Sequence, residues 1–316
     1  MNSNIQPKGQ ANNSIALLKS TLSAPSVQEQ FRNALGEHKD AFVASLIDLY
    51  TGDKSLQECA PAALITEALR AATLRLPLNK ALGFAYIVVY KNSRKEVDAH
   101  GKEHWVKVPT PTFIPGYKGY IQMAMRTGQY RTINADLVYE GELRRGNKLT
   151  GEILLDGTRT SDKVIGYFCY FELLNGFSKT LYMTVQEMAQ YAKRYSPSIG
   201  KETTEEKLIA KAQETTPGKS VGWEGNFNDM ALKTVVRRLI SKYGYLSVEM
   251  QGAVASDVQA DTAMTARNSA VADTATDTIN IDTVEYTDTS SDTAVDTDTG
   301  EVSAQAAQEQ QPQPEY

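Results

Sequence analysis

The sequence predicts an α+β fold in which N-terminal helices precede a β-hairpin and an antiparallel sheet packed on a central helix, followed by a basic C-terminal helix. Three observations predict it. Helix-forming residues dominate the first quarter of the chain, β-rich runs alternate with turn residues through the middle, and the last stretch is poor in large apolar side chains. We therefore expect one core at residues 13–250, with disorder at residues 1–12 and in an acidic tail at 251–316.

The N-terminal part has the pattern of a layer of helices. Gly36 and the turn at residues 50–53 interrupt this pattern, and Pro61 falls in the first turn of the last helix, where proline is tolerated. The predicted helices cover residues 14–22, 26–35, 37–50 and 60–75.

The middle of the chain has the pattern of antiparallel strands. Two β-rich runs, Phe84–Lys91 and Trp105–Ile114, flank a charged, turn-prone stretch at Asn92–His104, which predicts a long hairpin. Further strands are predicted at Tyr130–Tyr139, Val164–Leu174 and Lys179–Thr184. The second of these is heavily aromatic, and we interpret its rings as sheet core rather than as a base-stacking surface.

A short helix is predicted between Gly116 and Gly128, after a strand that ends at Pro115. Its polar residues recur every four positions and form one stripe, made of Lys118, Gln122 and Arg126. The residues expected to pack inward are Tyr117, Tyr120, Ile121 and Ala124. A cation–amide–cation stripe suits a polyanion lying along the helix, and Gly116 and Gly119 leave room for a close backbone approach.

The next predicted helix begins with a capping box. Thr184 is the N-cap, and Glu187 follows three residues later, at the start of a helix that runs to about Tyr195. Lys193 and Arg194 lie at its end, where cations favour the helix dipole, so a purely structural role stays open for them.

The last ordered element is predicted as a basic helix at Asn228–Tyr243, closed by Gly244, after a mobile polar loop at residues 198–222. Its apolar stripe consists of Leu232, Val235, Val236, Leu239 and Tyr243. The side chains expected to point away from that stripe are Lys233, Arg237 and Arg238. Because no acidic residue follows Asp229 within this helix, the one-signed face favours phosphate contact over a solvated surface.

The net charge of −5 hides an uneven distribution. Residues 251–316 hold thirteen acidic residues and one arginine, a net charge of −12. Residues 1–250 therefore keep 32 basic and 25 acidic residues, a net charge of +7. A basic body favours nucleic acid or another polyanion. The tail is either a solubilising segment, a competitor for the basic groove or a recruitment site for a partner.

Membrane, secreted and zinc proteins lack support in the sequence. No apolar run is long enough to span a membrane, and the N-terminus lacks the apolar stretch of a signal peptide, so we expect a cytoplasmic protein. Cys59 and Cys169 sit among apolar residues and are interpreted as core thiols. His100 and His104 flank the hairpin tip without a neighbouring cysteine, which argues against a zinc site.

A phosphate-binding loop is matched only at its end, by Gly218, Lys219 and Ser220. Position 213 is glutamine where the pattern needs glycine, and no apolar strand leads into it, so ATP hydrolysis has no support. No Ser/His/Asp or Cys/His constellation is apparent either. We expect no catalytic residue, no metal and no cofactor.

Several short blocks carry a family resemblance. They are Phe113–Gln122, Arg126–Tyr130, Val138–Glu142, Gly166–Phe168, Met230–Arg237 and Lys242–Gly244. Their order along residues 20–250 resembles that of the RecT family of phage-type single-strand DNA annealing proteins, which are recombinases.

The resemblance implies a compact α+β fold, protomers that assemble into rings or helical filaments on DNA, and ATP-independent annealing of complementary strands in the cytoplasm of a bacterial host. It implies binding to single-stranded DNA and to the annealed duplex intermediate, beside a 5′–3′ exonuclease and a host single-strand-binding protein. The DNA-contacting residues that the matched blocks supply are Tyr117, Lys118, Gln122, Arg126, Lys233 and Arg237. Those added on charge and position alone are Lys107, Lys193, Arg194 and Arg238.

Two other classes stay open. A metal-dependent nuclease would need clustered carboxylates, and Glu140, Glu142 and Glu152 are the nearest set, without a recognisable metal pattern. A structural protein that assembles without DNA, its basic surface meeting its own acidic tail, is the other.

Overall fold

The N-terminal part of this computed structural model is a layer of helices; the structure describes residues 8–97, 103–147, 149–196, 199–200, 202–214 and 222–255. The helices are α1 (Lys8–Leu22), α2 (Pro25–Leu35), α3 (Lys39–Gly52), α4 (Lys54–Gln57) and α5 (Pro61–Thr73). Helix α1 begins at Lys8, inside the stretch predicted to be disordered, and residues 1–7 lie outside the described residues.

Local sequence signals explain the last two helices of this layer. Helix α5 has Pro61 in its first turn and buries Leu64, Ala68 and Ala71, which share one face at helical spacing. Helix α4 is absent from the sequence prediction, because it is a single turn. It starts where the Asp53 carboxylate accepts a 3.0 Å hydrogen bond from the Ser55 backbone N–H, as an N-cap does.

A hairpin of two long strands, β1 (Ala85–Val97) and β2 (Glu103–Pro115), follows the helices. The strands pair in one register from Ala85 opposite Pro115 to Val97 opposite Glu103, so they run well into the stretch predicted as a turn. Lys95 stabilises this outer half through a 2.7 Å ion pair with Glu103. At the base, the Phe113 backbone N–H donates to the Glu67 carboxylate of α5 at 2.8 Å, which ties the hairpin to the helical layer.

Helix α6 (Tyr117–Arg126) leads from the hairpin into a three-stranded antiparallel sheet. Gly128 has a φ of +68°, which confirms the predicted left-handed residue after the helix. The sheet order is β3-β6-β7, with strands β3 (Tyr130–Tyr139), β6 (Val164–Leu173) and β7 (Ser178–Thr184), all close to prediction. Between β3 and β6, the chain forms a small hairpin that was not predicted, made of β4 (Arg145–Asn147) and β5 (Glu152–Leu154).

Helix α7 (Val185–Tyr195) has the predicted capping box between Thr184 and Glu187, in both directions. The prediction of a loop at residues 198–222 is wrong, because helix α8 (Glu205–Ala212) lies within it. Its N-cap Thr204 accepts from the Lys207 backbone N–H, and its inner face buries Leu208 and Ala212. Residues 215–221, which contain the phosphate-loop-like triplet, lie outside the described residues.

Helix α9 (Phe227–Tyr243) is the helix around which the core is built. It packs against α6, α8 and all three strands of the β3-β6-β7 sheet, so nearly its whole circumference is buried. Gly244 ends the helix as predicted, although its φ is −84° and therefore not left-handed. A Cβ at Gly244 would overlap with the Tyr130 hydroxyl, which explains the glycine sterically. The mixed α+β architecture with antiparallel strands is confirmed.

A helical segment at 248–255 follows α9 and buries Met250, Ala253 and Val254. It crosses the predicted boundary at residue 250, so the packed core continues at least to residue 255. The rest of the predicted acidic tail, residues 256–316, lies outside the described residues. No helix in the described part of the chain is both long and apolar enough to cross a membrane.

Candidate nucleic-acid interface

One face of α6 presents a row of polar side chains to solvent. Lys118, Gln122 and Arg126 are all exposed, and we call them the α6 row. Tyr120 and Ala124, on the opposite side, are fully buried, as the spacing predicts. The row spans about 12 Å of helix axis, because each residue advances the helix by about 1.5 Å.

The glycines of α6 are explained by the protein's own backbone rather than by a ligand. A Cβ at Gly116 would overlap with the Gly83 carbonyl oxygen, and one at Gly119 would overlap with the Phe84 carbonyl oxygen. The Gly116 backbone N–H also donates to the Phe84 carbonyl at 2.9 Å. The close backbone approach predicted from these glycines is therefore made by the segment before β1.

Arg126 joins the α6 row to the end of α5. Its Nη1 donates to the Leu74 carbonyl at 2.9 Å, and its Nε donates to the Gln122 carbonyl at 3.3 Å. Partial burial and then the neighbouring charge of Arg75 lower the pKa of Arg126, while Glu249 opposes them. The guanidinium stays charged, because an arginine pKa starts far above neutral pH. Its remaining N–H groups are available to an anion.

Lys118, at the other end of the row, lies near Asp229 in the first turn of α9. Its aliphatic stem packs over Gly83, and its Nζ lies 5.9 Å from the centroid of the Tyr117 ring. Desolvation raises the pKa of Asp229, and the charge of Lys118 counteracts that rise. Burial and then Asp229 raise the pKa of Tyr117. The α6 row therefore has one carboxylate near each end, Asp229 and Glu249.

The three cations predicted to face solvent from α9 have different environments. Arg238 is exposed and Lys233 is half-buried, but Arg237 is only 7% exposed, so its predicted outward orientation is wrong. Its Nη2 donates a 2.8 Å hydrogen bond to the Tyr191 hydroxyl of α7. A polar partner inside the core lets a charged residue be buried, which the pattern of α9 could not indicate.

Tyr191 brings together the cations of α7 and α9. Its ring lies 5.4 Å from the Arg238 guanidinium, and it packs against Tyr195 with 4.7 Å between ring centroids. The Arg194 guanidinium lies 5.3 Å from the Tyr195 ring. Lys193 is exposed at the same end of α7. These contacts form a second cationic surface, which we call the Tyr191 cluster.

Lys107 lies apart from both surfaces, on the outer half of the β1–β2 hairpin, where it is exposed opposite Ser93. Trp105, two residues before it, is 66% exposed, and the Lys95 ammonium lies 5.6 Å from its ring. The ten predicted residues lie on the β1–β2 hairpin, on α6, on α7 and on α9, and their joining into one groove stays a prediction.

The carboxylates considered for a nuclease have protein partners. Glu142 accepts a 2.7 Å hydrogen bond from the Tyr139 backbone N–H, and Glu140 accepts from the Ser161 hydroxyl at 2.8 Å. Within the described part of the chain, no group of three His, Cys, Asp or Glu side chains could hold a metal ion. Glu152 lies at the start of β5 and is exposed.

The two cysteines are buried thiols, as predicted. Burial raises the pKa of Cys59 to about 11, helped by Glu58 and Asp53, and burial alone raises the pKa of Cys169 to about 12. Neither is a thiolate at neutral pH. His100 lies outside the described residues, and His104 is exposed on β2.

Sequence reasoning misses two residues of interest at these surfaces. The sequence pattern assigns Trp105 only to a strand. A large aromatic residue near the tip of a charged hairpin is nevertheless a signal for an exposed ring. Arg75 carries no signal of its own, because its place beside Arg126 follows from the contact of α6 with the end of α5, which no local pattern encodes.

Comparison with known proteins places this α+β chain in the class of recombination and annealing proteins. The RecT family profile matches residues 40–271, and the chain belongs to the RecT family. The resemblance inferred from the short sequence blocks is thereby confirmed.

Two relatives illustrate the range of similarity. The uncharacterized protein YqaK of Bacillus subtilis (strain 168) is 41% identical over 240 residues, covering 76% of this chain and 71% of the relative. Protein RecT of Escherichia coli (strain K12) is 26% identical over 266 residues, covering 79% of this chain and 85% of that protein.

Proposed function

We propose that this protein binds single-stranded DNA, oligomerises on it as a ring or helical filament, and anneals complementary strands without ATP. The observation that carries the proposal is the exposed α6 row in a chain of the RecT family. Cations spaced along a helix can grip successive phosphates, which carry no sequence information, so the binding has no sequence preference.

The proposed interface has a centre and two outlying parts. Lys118, Gln122 and Arg126 form the centre, with Tyr117 on the same helix and Lys233 on α9, which packs against α6. Lys107 on the hairpin and the exposed cations of the Tyr191 cluster extend the path, the latter being Lys193, Arg194 and Arg238. Arg237 supports the cluster from inside the core through Tyr191. Residues 13–250 in this proposal are the annealing and oligomerisation unit.

Annealing needs no bond chemistry in this mechanism. The protein holds one strand by its phosphates and leaves its bases open to a second strand. Cationic side chains reduce the repulsion between strands, and pairing supplies the driving force, of about 1.4 kcal/mol per base-pair step. Oligomerisation raises the local concentration of complementary sequence. A 5′–3′ exonuclease to supply the strand, and a host single-strand-binding protein, belong to the proposal as partners.

The proposal is tested by mixing two complementary labelled oligonucleotides with the protein, without nucleotide, and following pairing by fluorescence at two salt concentrations. We expect acceleration that weakens as salt rises. The Lys118→Gln variant should lose part of it, whereas Arg32→Gln, which removes an exposed arginine of α2, should not. Oligomers that form without DNA and do not accelerate pairing would support the structural protein instead, and metal-dependent cleavage would support a nuclease.

A further inference from the structure

Arg75 has a backbone conformation that arginine seldom adopts. Its φ is +51°, the only positive φ of a non-glycine residue in the described part of the chain. It ends α5 as glycine usually does, because its N–H donates to the Ala72 carbonyl at 2.8 Å while the Leu76 N–H donates to the Ala71 carbonyl at 3.0 Å. A glycine there would hold the same two hydrogen bonds without the steric cost of a Cβ.

The residue at this position lies beside a second arginine. The Leu74 carbonyl that accepts from Arg126 Nη1 at 2.9 Å belongs to the peptide bond that joins Leu74 to Arg75. Two residues of like charge are thus held together where α5 ends beside α6, and both are exposed. Among the described residues, neither arginine forms an ion pair. Such a pair is repulsive unless an anion lies between its members.

One carboxylate lies near this pair. Glu249, in the segment at 248–255, is exposed, and its pKa is lowered by its own backbone N–H and by the Ser247 side chain, then by Arg75 and Arg126. Among the described residues, Glu249 forms no ion pair with Arg75 or Arg126, so both guanidinium groups keep donors for an anion. Guanidinium groups are well suited to phosphate, since each offers a planar fork of donors.

We propose that Arg75 and Arg126 form an anion site for a DNA backbone phosphate, which continues the α6 row past the end of α6, and that Glu249 competes with the phosphate for it. This inference rests on the proposed function. The row alone offers Lys118 and Arg126 as cations. Arg75 adds a further cation, so the strand follows α6 and then crosses the end of α5.

Three substitutions of Arg75 separate charge from backbone. Arg75→Gly removes the charge and relieves the left-handed conformation, Arg75→Gln removes the charge and keeps that conformation, and Arg75→Lys keeps the charge. We expect the glycine and glutamine variants to bind oligo-dT several-fold more weakly than the parent protein. The slope of log affinity against log salt should become shallower by about 0.7, the value for one phosphate of a single strand that is no longer neutralised.

The Arg75→Lys variant should show a salt slope close to that of the parent protein. The Glu249→Gln variant should bind oligo-dT more tightly than the parent protein. The melting temperature of Arg75→Gly should equal or exceed that of the parent, so weaker binding would not reflect unfolding. Arg32→Gln serves as the control for loss of an exposed positive charge on another helix.

Unchanged affinity and slope in both neutral Arg75 variants, alongside weaker binding by Lys118→Gln, would overturn this inference and leave the proposed function standing. Absence of single-strand binding and of annealing in the parent protein would instead refute the proposed function, and the inference with it.

Discussion

At the scale of single residues, neighbours in the chain have opposite roles. Arg237 and Arg238 follow each other on α9, yet one is buried against the Tyr191 hydroxyl and the other is exposed over the ring of the same tyrosine. Successive helical residues point about 100° apart, so a helix packed on most sides offers solvent to only one of them. Tyr191 therefore contacts both arginines, Arg237 through its hydroxyl and Arg238 through its ring.

The Arg237→Ala variant should be much less stable than the Arg238→Ala variant. Removing Arg237 empties buried volume and removes the guanidinium that donates to the Tyr191 hydroxyl, at a cost of about 2–4 kcal/mol. Removing the exposed Arg238 should cost about 1 kcal/mol or less. Urea unfolding measures both, and equal losses for the two neighbours would contradict the burial of Arg237.

Asp229 should make DNA binding depend on pH. Because desolvation raises its pKa above the ordinary 3.8, the Asp229 carboxylate takes up a proton at a higher pH than an unperturbed aspartate would. The negative charge beside Lys118 is then lost, so single-strand affinity should rise as the pH falls from neutral through the raised pKa of Asp229. The charged form is disfavoured in the folded state, so this group also favours folding more as the pH falls through its raised pKa.

The Asp229→Asn variant is the matched comparison for this pH dependence. It should bind more tightly at neutral pH and show a smaller rise in affinity on acidification. The two proteins share every other titratable group, so the difference between the two curves isolates Asp229. Parallel curves would show that Asp229 does not face the bound strand.

At the scale of elements, α6 is positioned by backbone contact. Gly116 and Gly119 let the helix lie directly on the carbonyl groups of Gly83 and Phe84. This contact places α6 at the base of the hairpin, where β1 begins and β2 ends. A helix held this closely has no room for side chains at the contact. Its inner tyrosine, Tyr120, is fully buried, which fixes the rotation of the helix and therefore the direction of the row.

Substitution of either glycine by alanine should destabilise the protein by about 1–3 kcal/mol, since backbone atoms must move to admit the Cβ. Gly52→Ala provides the matched control: it ends α3, has no atom within 4 Å of an added Cβ, and should be neutral or stabilising. Denaturant unfolding distinguishes them. Similar stabilities for Gly119→Ala and Gly52→Ala would contradict the tight contact.

The elements also show how far local patterns reach. Strands β3 and β6 and the capping box of α7 are predicted almost to the residue, because alternation, aromatic content and capping chemistry are local. Helix α8 is missed because its two buried positions, Leu208 and Ala212, are too few to stand out in a polar stretch. The outer half of the hairpin has the composition of a turn, and it forms strands because cross-strand pairs such as Lys95 with Glu103 stabilise them.

At the scale of the whole molecule, charge is divided between the body and the C-terminal stretch. The described residues reach 255, and the residues from 256 onward carry a net charge of −12 against +7 for the rest. A polyanion tethered to a cationic surface competes with DNA through local concentration, and salt weakens that competition.

Deletion of residues 256–316 should therefore raise the affinity for single-stranded DNA at low salt, with little change in melting temperature. The gain in affinity should shrink as salt rises, because salt screens the attraction of the cationic surface for the tail and for DNA alike. A full-length variant with the tail carboxylates changed to amides should behave like the truncation if charge is the cause. Identical binding by truncated and full-length proteins would leave the tail a solubilising role.

The sequence by itself determined most of the element types, the family, the exposure of Lys118, Gln122 and Arg126, and the division of charge, because each depends on local spacing or on composition. Only the tertiary structure decided that Arg237 is buried, that Gly116 and Gly119 face the protein's own backbone, and that Arg75 meets Arg126. Those three outcomes depend on α6, α7 and α9 packing against partners far away in the chain. The spacing of residues along a helix gives the direction of each side chain around that helix. The packing of the whole core decides which groups lie in that direction.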